Sequence, residues 1–384
     1  MKSLFLLQND ITFLNFGSFG ACPKPVFDAF IRWQYLLESE PIQFFTTHSS
    51  EYINTSRKAL AEYLQGDPEN FVFVPNPTWA INIIAKNLRL QPDDEVLSTN
   101  LEYGAMDKTW NYYCKKLGAK YIQQKISLPI ASKEAFLNDF WKGYSTKTKM
   151  VFISQITSST GLILPVKEIC EEAKRRGLIT VVDGAHVPGH IDLDLSELKA
   201  DFYTGACHKW MMTPKGSSFL YVRKEFQNEL DPLIISWGFE SANPSGSRFY
   251  DYHQFNGTRD FSAYLTIPDA LEFMHQNNWN EVSKQCKKLV LQTAPLFYDV
   301  LGTEPLAPLT TEFYGQMCSA EVKTPNPEQL QRHLFEQYKI EIPVMRHREK
   351  NFIRYSVQGF NTKEEIAYLL ESLKSIKATT DLIR

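Results

Sequence analysis

The residues able to do chemistry in this chain stand at the ends of short apolar runs. Ile179-Thr180-Val181-Val182 delivers Asp183, followed by Gly184-Ala185-His186. Asp201-Phe202-Tyr203-Thr204-Gly205-Ala206-Cys207 runs into His208-Lys209-Trp210-Met211-Met212. A lysine in so apolar a setting is unusual. Where burial and a second positive centre disfavour the ammonium, the free amine is left to attack a carbonyl carbon, which is the chemistry of Schiff-base formation. Lys209 follows Asp183 by 26 positions, one strand-to-strand excursion, so acid and amine can face one ligand from neighbouring strand ends. Each also has a plainer reading: a strand-end Asp commonly satisfies a loop, and a lone histidine such as His186 is commonly packed and hydrogen-bonded. A third feature is Phe71-Val72-Phe73-Val74-Pro75-Asn76-Pro77-Thr78, a strand turning into a helix with Asn76 as N-cap and Pro77 at the first helical position. Its free backbone N–H groups favour an anion, although many such turns are only caps.

The elements that must position these groups follow from periodicity. Between Phe71 and Val222, Val- and Ile-rich runs alternate with segments of helical period, which is the pattern of a mainly parallel sheet wrapped by helices. Strands are expected at Phe71 to Val74, Glu95 to Ser98, Lys120 to Lys125, Met150 to Ser154, Ile179 to Val182, Asp201 to Thr204 and Ser218 to Val222. The segment from Pro165 to Gly177 opens on Pro and closes on Gly after a basic turn, as a crossover helix does. In such open sheets ligands bind beyond the carboxyl ends of the strands. From about Asp231 to Asp260 the regularity is lost, and this stretch reads as an extended excursion. Long helices near Ser262 to Gln276 and Asn280 to Leu301, then strand, helix, strand, strand and helix, make a second domain.

The bulk properties are compatible with that plan. A chain of 384 residues exceeds what one hydrophobic core usually supports, so a large domain and a smaller one drawing on both termini are expected. A net charge of -3, with basic and acidic residues interspersed, carries no footprint of nucleic-acid or membrane-surface binding. The six cysteines are scattered without a CxxC pair, which suggests neither a disulfide framework nor a zinc or other metal cluster and points to a cytoplasmic setting. The apolar run Leu4-Phe5-Leu6-Leu7 is shorter than a signal-peptide core, so no export and no membrane span are predicted.

Taken together, Asp183-Gly184-Ala185-His186-Val187-Pro188-Gly189, Cys207-His208-Lys209-Trp210 and Pro214-Lys215-Gly216 resemble the class V branch of pyridoxal-phosphate (PLP) enzymes, which includes cysteine desulfurases. Phe13-Leu14-Asn15-Phe16-Gly17-Ser18-Phe19-Gly20, Leu101-Glu102-Tyr103-Gly104-Ala105 and Phe255-Asn256-Gly257-Thr258-Arg259-Asp260 resemble its isopenicillin-N-epimerase-like group. The resemblance spans nearly the whole chain. It implies the α/β architecture of PLP-dependent transferase fold type I, a seven-stranded, mainly parallel sheet between helices with a smaller α+β C-terminal domain. The large domain would be 16–262 and the small domain 1–15 with 263–384. It implies that Lys209 holds PLP as a Schiff base, that Asp183 pairs with the pyridine nitrogen, and that Tyr103 stacks on the ring where relatives often carry histidine. Ser158 and His186 would approach the phenolic oxygen. Asn76, Pro77, Thr78 and His208 would hold the phosphate, with Gly257 and Thr258 reaching it from a second subunit, hence a homodimer. Ala206 departs from the pattern, since relatives commonly carry Ser or Asn there to bind the phosphate. Arg354, in Asn351-Phe352-Ile353-Arg354-Tyr355-Ser356, would clamp the carboxylate of an amino-acid substrate, with Asn15 beside it; the bland alternative for Arg354 is a surface salt bridge.

The shared step implied is loss of the Cα proton to Lys209, after which epimerisation, transamination and elimination diverge. Desulfuration calls for a mobile nucleophilic cysteine near the carboxylate-binding arginine, and Val344 through Arg354 contains none. An amino-acid epimerase or lyase is the leading expectation, with an aminotransferase or a cysteine-desulfurase-type enzyme behind it. Two rivals come from other classes. A noncatalytic PLP-fold binding protein is opposed by the presence of both Lys209 and Asp183, and a nicotinamide-dependent dehydrogenase by the lack of a GxGxxG after any strand.

Overall fold

Strand residues of this chain alternate between two apolar faces, and that alternation builds a sheet covered on both sides. In a computed structural model, which describes residues 1–384, the strands in chain order are β1 (Thr12–Phe13), β2 (Phe71–Val74), β3 (Glu95–Thr99), β4 (Lys120–Gln124), β5 (Thr148–Ser154) and β6 (Ile179–Asp183), then β7 (Phe202–Ala206), β8 (Ser218–Val222), β9 (Met317–Glu321), β10 (Ile340–Glu341), β11 (Val344–His347) and β12 (Lys350–Ser356). Phe71, Phe73, Val151, Ile153, Val182 and Tyr203 pack into one core cluster. Their neighbours Val72, Val74, Met150, Phe152, Val181 and Phe202 pack into another on the opposite face. Period-2 side-chain geometry makes the division, and burial of both faces explains the continuous apolar runs Phe71 to Val74, Met150 to Ile153 and Val181 to Val182.

The seven-stranded sheet has the order β2-β8-β7-β6-β5-β3-β4. Only β8 runs against the others: it is antiparallel to both β2 and β7, so β2 points the same way as β3 to β7. The carboxyl ends of six strands therefore share one edge. The winding also reverses between β3 and β5, since β4 lies outside β3 while β6 and β7 continue beyond β5. Such a reversal splays the following loops apart and leaves a crevice.

The C-terminal half forms a three-stranded antiparallel sheet, β11-β12-β9. The N-terminus is tied to that half: β1 pairs with β10, Leu14 donates to the Glu341 carbonyl at 3.0 Å, and Ser356 donates to the Leu14 carbonyl at 2.8 Å. The stretch Asn15 to Gly20 is thereby carried to the carboxyl edge of the large sheet.

Two expectations need correction. The segment from Asp231 to Asp260 is not wholly an extended excursion, for it contains a helix, Arg248–Gln254, capped by the Ser247 hydroxyl at Tyr250 N. That helix covers the edge of β2, where Gln254 Oε1 accepts the Phe73 N–H at 3.0 Å. Its apolar stripe is only two turns long, too short to stand out from an aromatic-rich loop. The helical stretch from Ser262 to Gln276 is also broken, into Ser262–Leu265 and Ile267–Gln276, because Pro268 has no N–H to continue the first piece. No helix is long and apolar enough to cross a membrane.

Phe152, fully buried in β5 against Trp110, tests the two-faced sheet. Phe152→Ala is expected to lower the urea denaturation midpoint by the equivalent of about 3–5 kcal/mol. A loss below ~1 kcal/mol would show that this face is not a packed core.

Candidate active site

The carboxyl edge of the sheet opens into a cavity of 530 Å³, within the roughly 300–1,000 Å³ typical of small-molecule sites. It receives Pro75 to Thr78 from the end of β2, Tyr103 from beyond β3, Ser154, Ile156 and Ser158 from the end of β5 and the loop after it, Asp183, Ala185 and His186 from the end of β6 and the turn after it, His208 and Lys209 from beyond β7, and Arg354 from β12. Of the expected site residues, Lys209, Asp183, His186, His208, Asn76, Pro77, Thr78, Tyr103, Ser158 and Arg354 thus line one cavity. Asn15, Gly257 and Thr258 do not. Asn15 stands one bond behind the wall, its Oδ1 accepting the Ser18 hydroxyl at 2.5 Å, while Gly257 and Thr258 are exposed on the surface.

Asp183 is the last residue of β6 and is buried; its Oδ1 accepts the Ala185 N–H at 2.9 Å. Burial raises its pKa, opposed by the Ala185 N–H and the nearby Lys209. Lys209 Nζ lies 3.3 Å from His186 Nε2. Burial, then the Arg354 guanidinium, push the lysine down to about 8, with Asp183 acting the other way. His186 is buried, and that burial together with Lys209 and Arg354 holds its pKa well below the usual imidazole range. It is a neutral ring.

Arg354 is 1% exposed, and no carboxylate stands within ion-pair distance of it. Its guanidinium donates to the Ser158 carbonyl and, at 3.3 Å, to the Ser18 hydroxyl, while Nε has no partner. Burial lowers its pKa to about 10. A buried cation without an anion is costly, and an anionic ligand would offset that cost.

The anion cradle at the end of β2 has the expected cap. Asn76 Oδ1 accepts the Trp79 N–H at 2.9 Å, and since Pro77 has no N–H, the first free one at the helix tip belongs to Thr78. His208, beside it on the cavity wall, would complete such a cradle only when protonated. Its Nδ1 is committed to the Ser217 carbonyl at 2.8 Å, so only protonation makes Nε2 a donor. Burial and Lys209 hold its pKa down to about 4, and a phosphate dianion would favour the imidazolium.

These groups fit PLP. The cradle suits a phosphate, a buried carboxyl suits a pyridinium, and an amine of lowered pKa suits the aldehyde. Tyr103, 48% exposed, offers an aromatic face at the mouth.

Several residues here were not singled out from the sequence. Ser18 touches Arg354 and lies inside the quoted motif from Phe13 to Gly20, three positions after Asn15, so a signal existed. Glu102 is another. Its carboxyl accepts Thr99 Oγ1 at 2.7 Å, Ser154 N at 2.9 Å and Ser154 Oγ at 2.5 Å, which ties the loop bearing Tyr103 to the end of β5. Burial pushes it up to about 8. Lys215, Met345 and Phe19 also reach the cavity wall.

PLP uptake by the cofactor-free protein is expected to quicken as pH rises through about 8 and to level off above it, because only the free amine attacks the aldehyde. Stopped-flow absorbance checks this; a rate that keeps climbing toward the ordinary lysine range contradicts it.

Comparison with known proteins agrees with the geometry. Residues 23–369 match the family described as aminotransferase class-V. Isopenicillin N epimerase of Amycolatopsis lactamdurans is 31% identical over 383 residues, covering 96% of each chain. A putative L-cysteine desulfhydrase of Oryza sativa subsp. japonica is 26% identical, over 95% of this chain and 83% of its own. Among solved structures, the apo cysteine desulfurase of Thermococcus onnurineus NA1 superposes with a TM-score of 0.83 at 21% identity, covering 98% of this chain and 96% of its own. With its fold, its cavity and its near full-length match in agreement, the chain belongs to the class V aminotransferase family of PLP-dependent enzymes.

Proposed function

We propose that this protein is an amino-acid epimerase or lyase that removes the Cα proton of its substrate with Lys209. The observation that carries the reading is Arg354, a buried guanidinium without an acidic partner, in one cavity with Lys209 and Asp183. An α-carboxylate gripped there by two parallel hydrogen bonds has its Cα bonds held in one orientation toward the amine. When bound, the cofactor supplies the electron sink that stabilises negative charge at Cα. Asp183 would hold the ring nitrogen in its protonated state, Thr78 and His208 would tether the phosphate, and Tyr103 would cover the ring. Lys209, as a free amine in a crevice walled by Ile156, Met106 and Met345, then takes the proton.

Cysteine chemistry supports this choice over desulfuration. No cysteine lines the cavity. Burial pushes Cys22, Cys207 and Cys318 up to about 12, so each stays a thiol and none is poised as a sulfur acceptor. Full-length similarity to an epimerase supports inversion at Cα, and that to the desulfhydrase supports elimination.

The same proposal includes a cytoplasmic homodimer, built from a large unit of residues 16–262 and a small one of 1–15 with 263–384. The exposure of Gly257 and Thr258 suits residues that reach the phosphate of a partner subunit.

A panel of amino acids incubated with the PLP-loaded protein in deuterated water, analysed by mass and chirality, tests the proposal. Deuterium at Cα with inversion identifies the epimerase, loss of a side-chain substituent the lyase, and no exchange with any amino acid sinks both. Lys209→Ala is expected to abolish the exchange. Arg354→Lys loses the two-pronged grip, so KM is expected to rise roughly ten- to hundred-fold, equivalent to one charge-assisted hydrogen bond of about 1.5–3 kcal/mol. An unchanged KM would remove Arg354 from the carboxylate.

A further inference from the structure

Behind Lys209 lies a set of buried polar groups that the proposed reaction does not use. His190 is buried, and its ring stacks on the Trp210 indole with centroids 4.0 Å apart and an interplanar angle of 28°. Its Nε2 accepts the Gln316 N–H at 2.5 Å, so its hydrogen sits on Nδ1, 2.9 Å from the His186 carbonyl. The approach is close on both sides. A Cβ on Gly315 would lie 2.3 Å from His190 Nε2, and one on Gly189 would lie 2.4 Å from the Trp210 backbone. His190 therefore holds both the indole and the backbone of His186.

The next bond sets a direction. Trp210 Nε1 meets His186 Nδ1 at 3.4 Å. An indole N–H can only donate, so Nδ1 must accept, and the neutral ring carries its hydrogen on Nε2. That Nε2–H faces Lys209 Nζ at 3.3 Å. A neutral amine offers a lone pair to it, whereas an ammonium has only hydrogens and would set donor against donor.

We propose that Trp210, clamped by His190, is a positioning residue that fixes His186 in its Nε2–H tautomer and so favours Lys209 as the free amine. This effect is separate from burial, since it depends on which nitrogen of His186 bears the hydrogen. It also gives His186 a donor toward the cavity. Through Gln316, whose side chain meets the Ser283 hydroxyl at 2.8 Å and the Val357 carbonyl at 2.9 Å, the chain of bonds begins in the C-terminal half of the molecule. The charged groups facing Lys209 are Arg354 and Asp183, and neither touches Trp210, so their contribution is common to the comparison below.

The inference rests on Lys209 serving as the amine, yet its test needs neither substrate nor turnover. Cofactor-free protein labelled with ¹⁵N-histidine is examined by NMR, with His186 assigned by its loss in His186→Gln. The expected spectrum of the unsubstituted protein has His186 protonated at Nε2 and bare at Nδ1. In Trp210→Phe, which keeps an aromatic ring against His190 but removes the donor, a mixture of tautomers is expected. Competitive labelling of Lys209 with an amine reagent, read by peptide mass spectrometry, should place its titration midpoint roughly half a unit to one unit higher in that variant, the equivalent of one neutral hydrogen bond. Protonation at Nδ1 in the unsubstituted protein overturns the proposal, and it does so whether or not the variant folds. An unchanged tautomer and midpoint in a folded Trp210→Phe overturns it equally. A silent amino-acid panel beside the expected tautomer would instead tell against the assigned reaction and leave this positioning role standing.

Discussion

Lys209 and Arg354 place two basic side chains, both buried, in one crevice against the buried carboxyl of Asp183. Taking a charge out of water costs several kcal/mol per ion unless a partner restores what hydration supplied. Arg354 has only a carbonyl and a hydroxyl, and Lys209 has only an imidazole at hydrogen-bond distance. The protein meets the lysine's cost by lowering its proton affinity, while the arginine has no anion beside it. Binding and reactivity, as proposed, have one origin: the burial that lowers the proton affinity of Lys209 also leaves Arg354 without an anionic partner.

Such a crevice requires several distant segments to converge. Parallel strands bring six carboxyl ends to one edge, but Arg354 comes from the antiparallel sheet of the C-terminal half, and its two acceptors come from the loop after β5 and from the N-terminal turn. The N-terminus reaches that position because it is paired with β10 and bonded to Ser356. A further latch joins the halves where His347 and Arg348 both engage the Asn100 carbonyl, at 2.8 and 3.0 Å. The Arg354 side of the cavity is therefore a seam between parts of the chain, and its geometry depends on how they seat against each other.

Much of the large sheet was legible beforehand because its strands are buried on both faces. Continuous apolar runs such as Phe71 to Val74 and Ser218 to Val222 have the same bounds in sequence and structure. Strand ends were less legible: β7 ends at Ala206, two residues beyond the expected Thr204, because Gly205 and Ala206 continue the ladder with Phe219 and Ser218 although neither has strand propensity. The helix Arg248–Gln254 was hidden for the opposite reason, its polar and aromatic residues being explained only by the exposed sheet edge that it covers.

For the site, residue type and order along the chain were enough to single out the lysine, the acid and the capped helix, because each follows or ends a recognisable element, whereas the arginine, inside β12, was singled out only by the family resemblance of its segment. Tertiary structure alone decided what each of these meets. That Arg354 lacks an acidic partner, that Ser18 and not Asn15 touches it, and that Trp210 dictates the tautomer of His186 all depend on contacts between residues from 23 to more than 300 positions apart. Local pattern specifies strands and turns through backbone preference and burial. Charge compensation and proton placement are properties of the packed neighbourhood, which no stretch of sequence contains by itself.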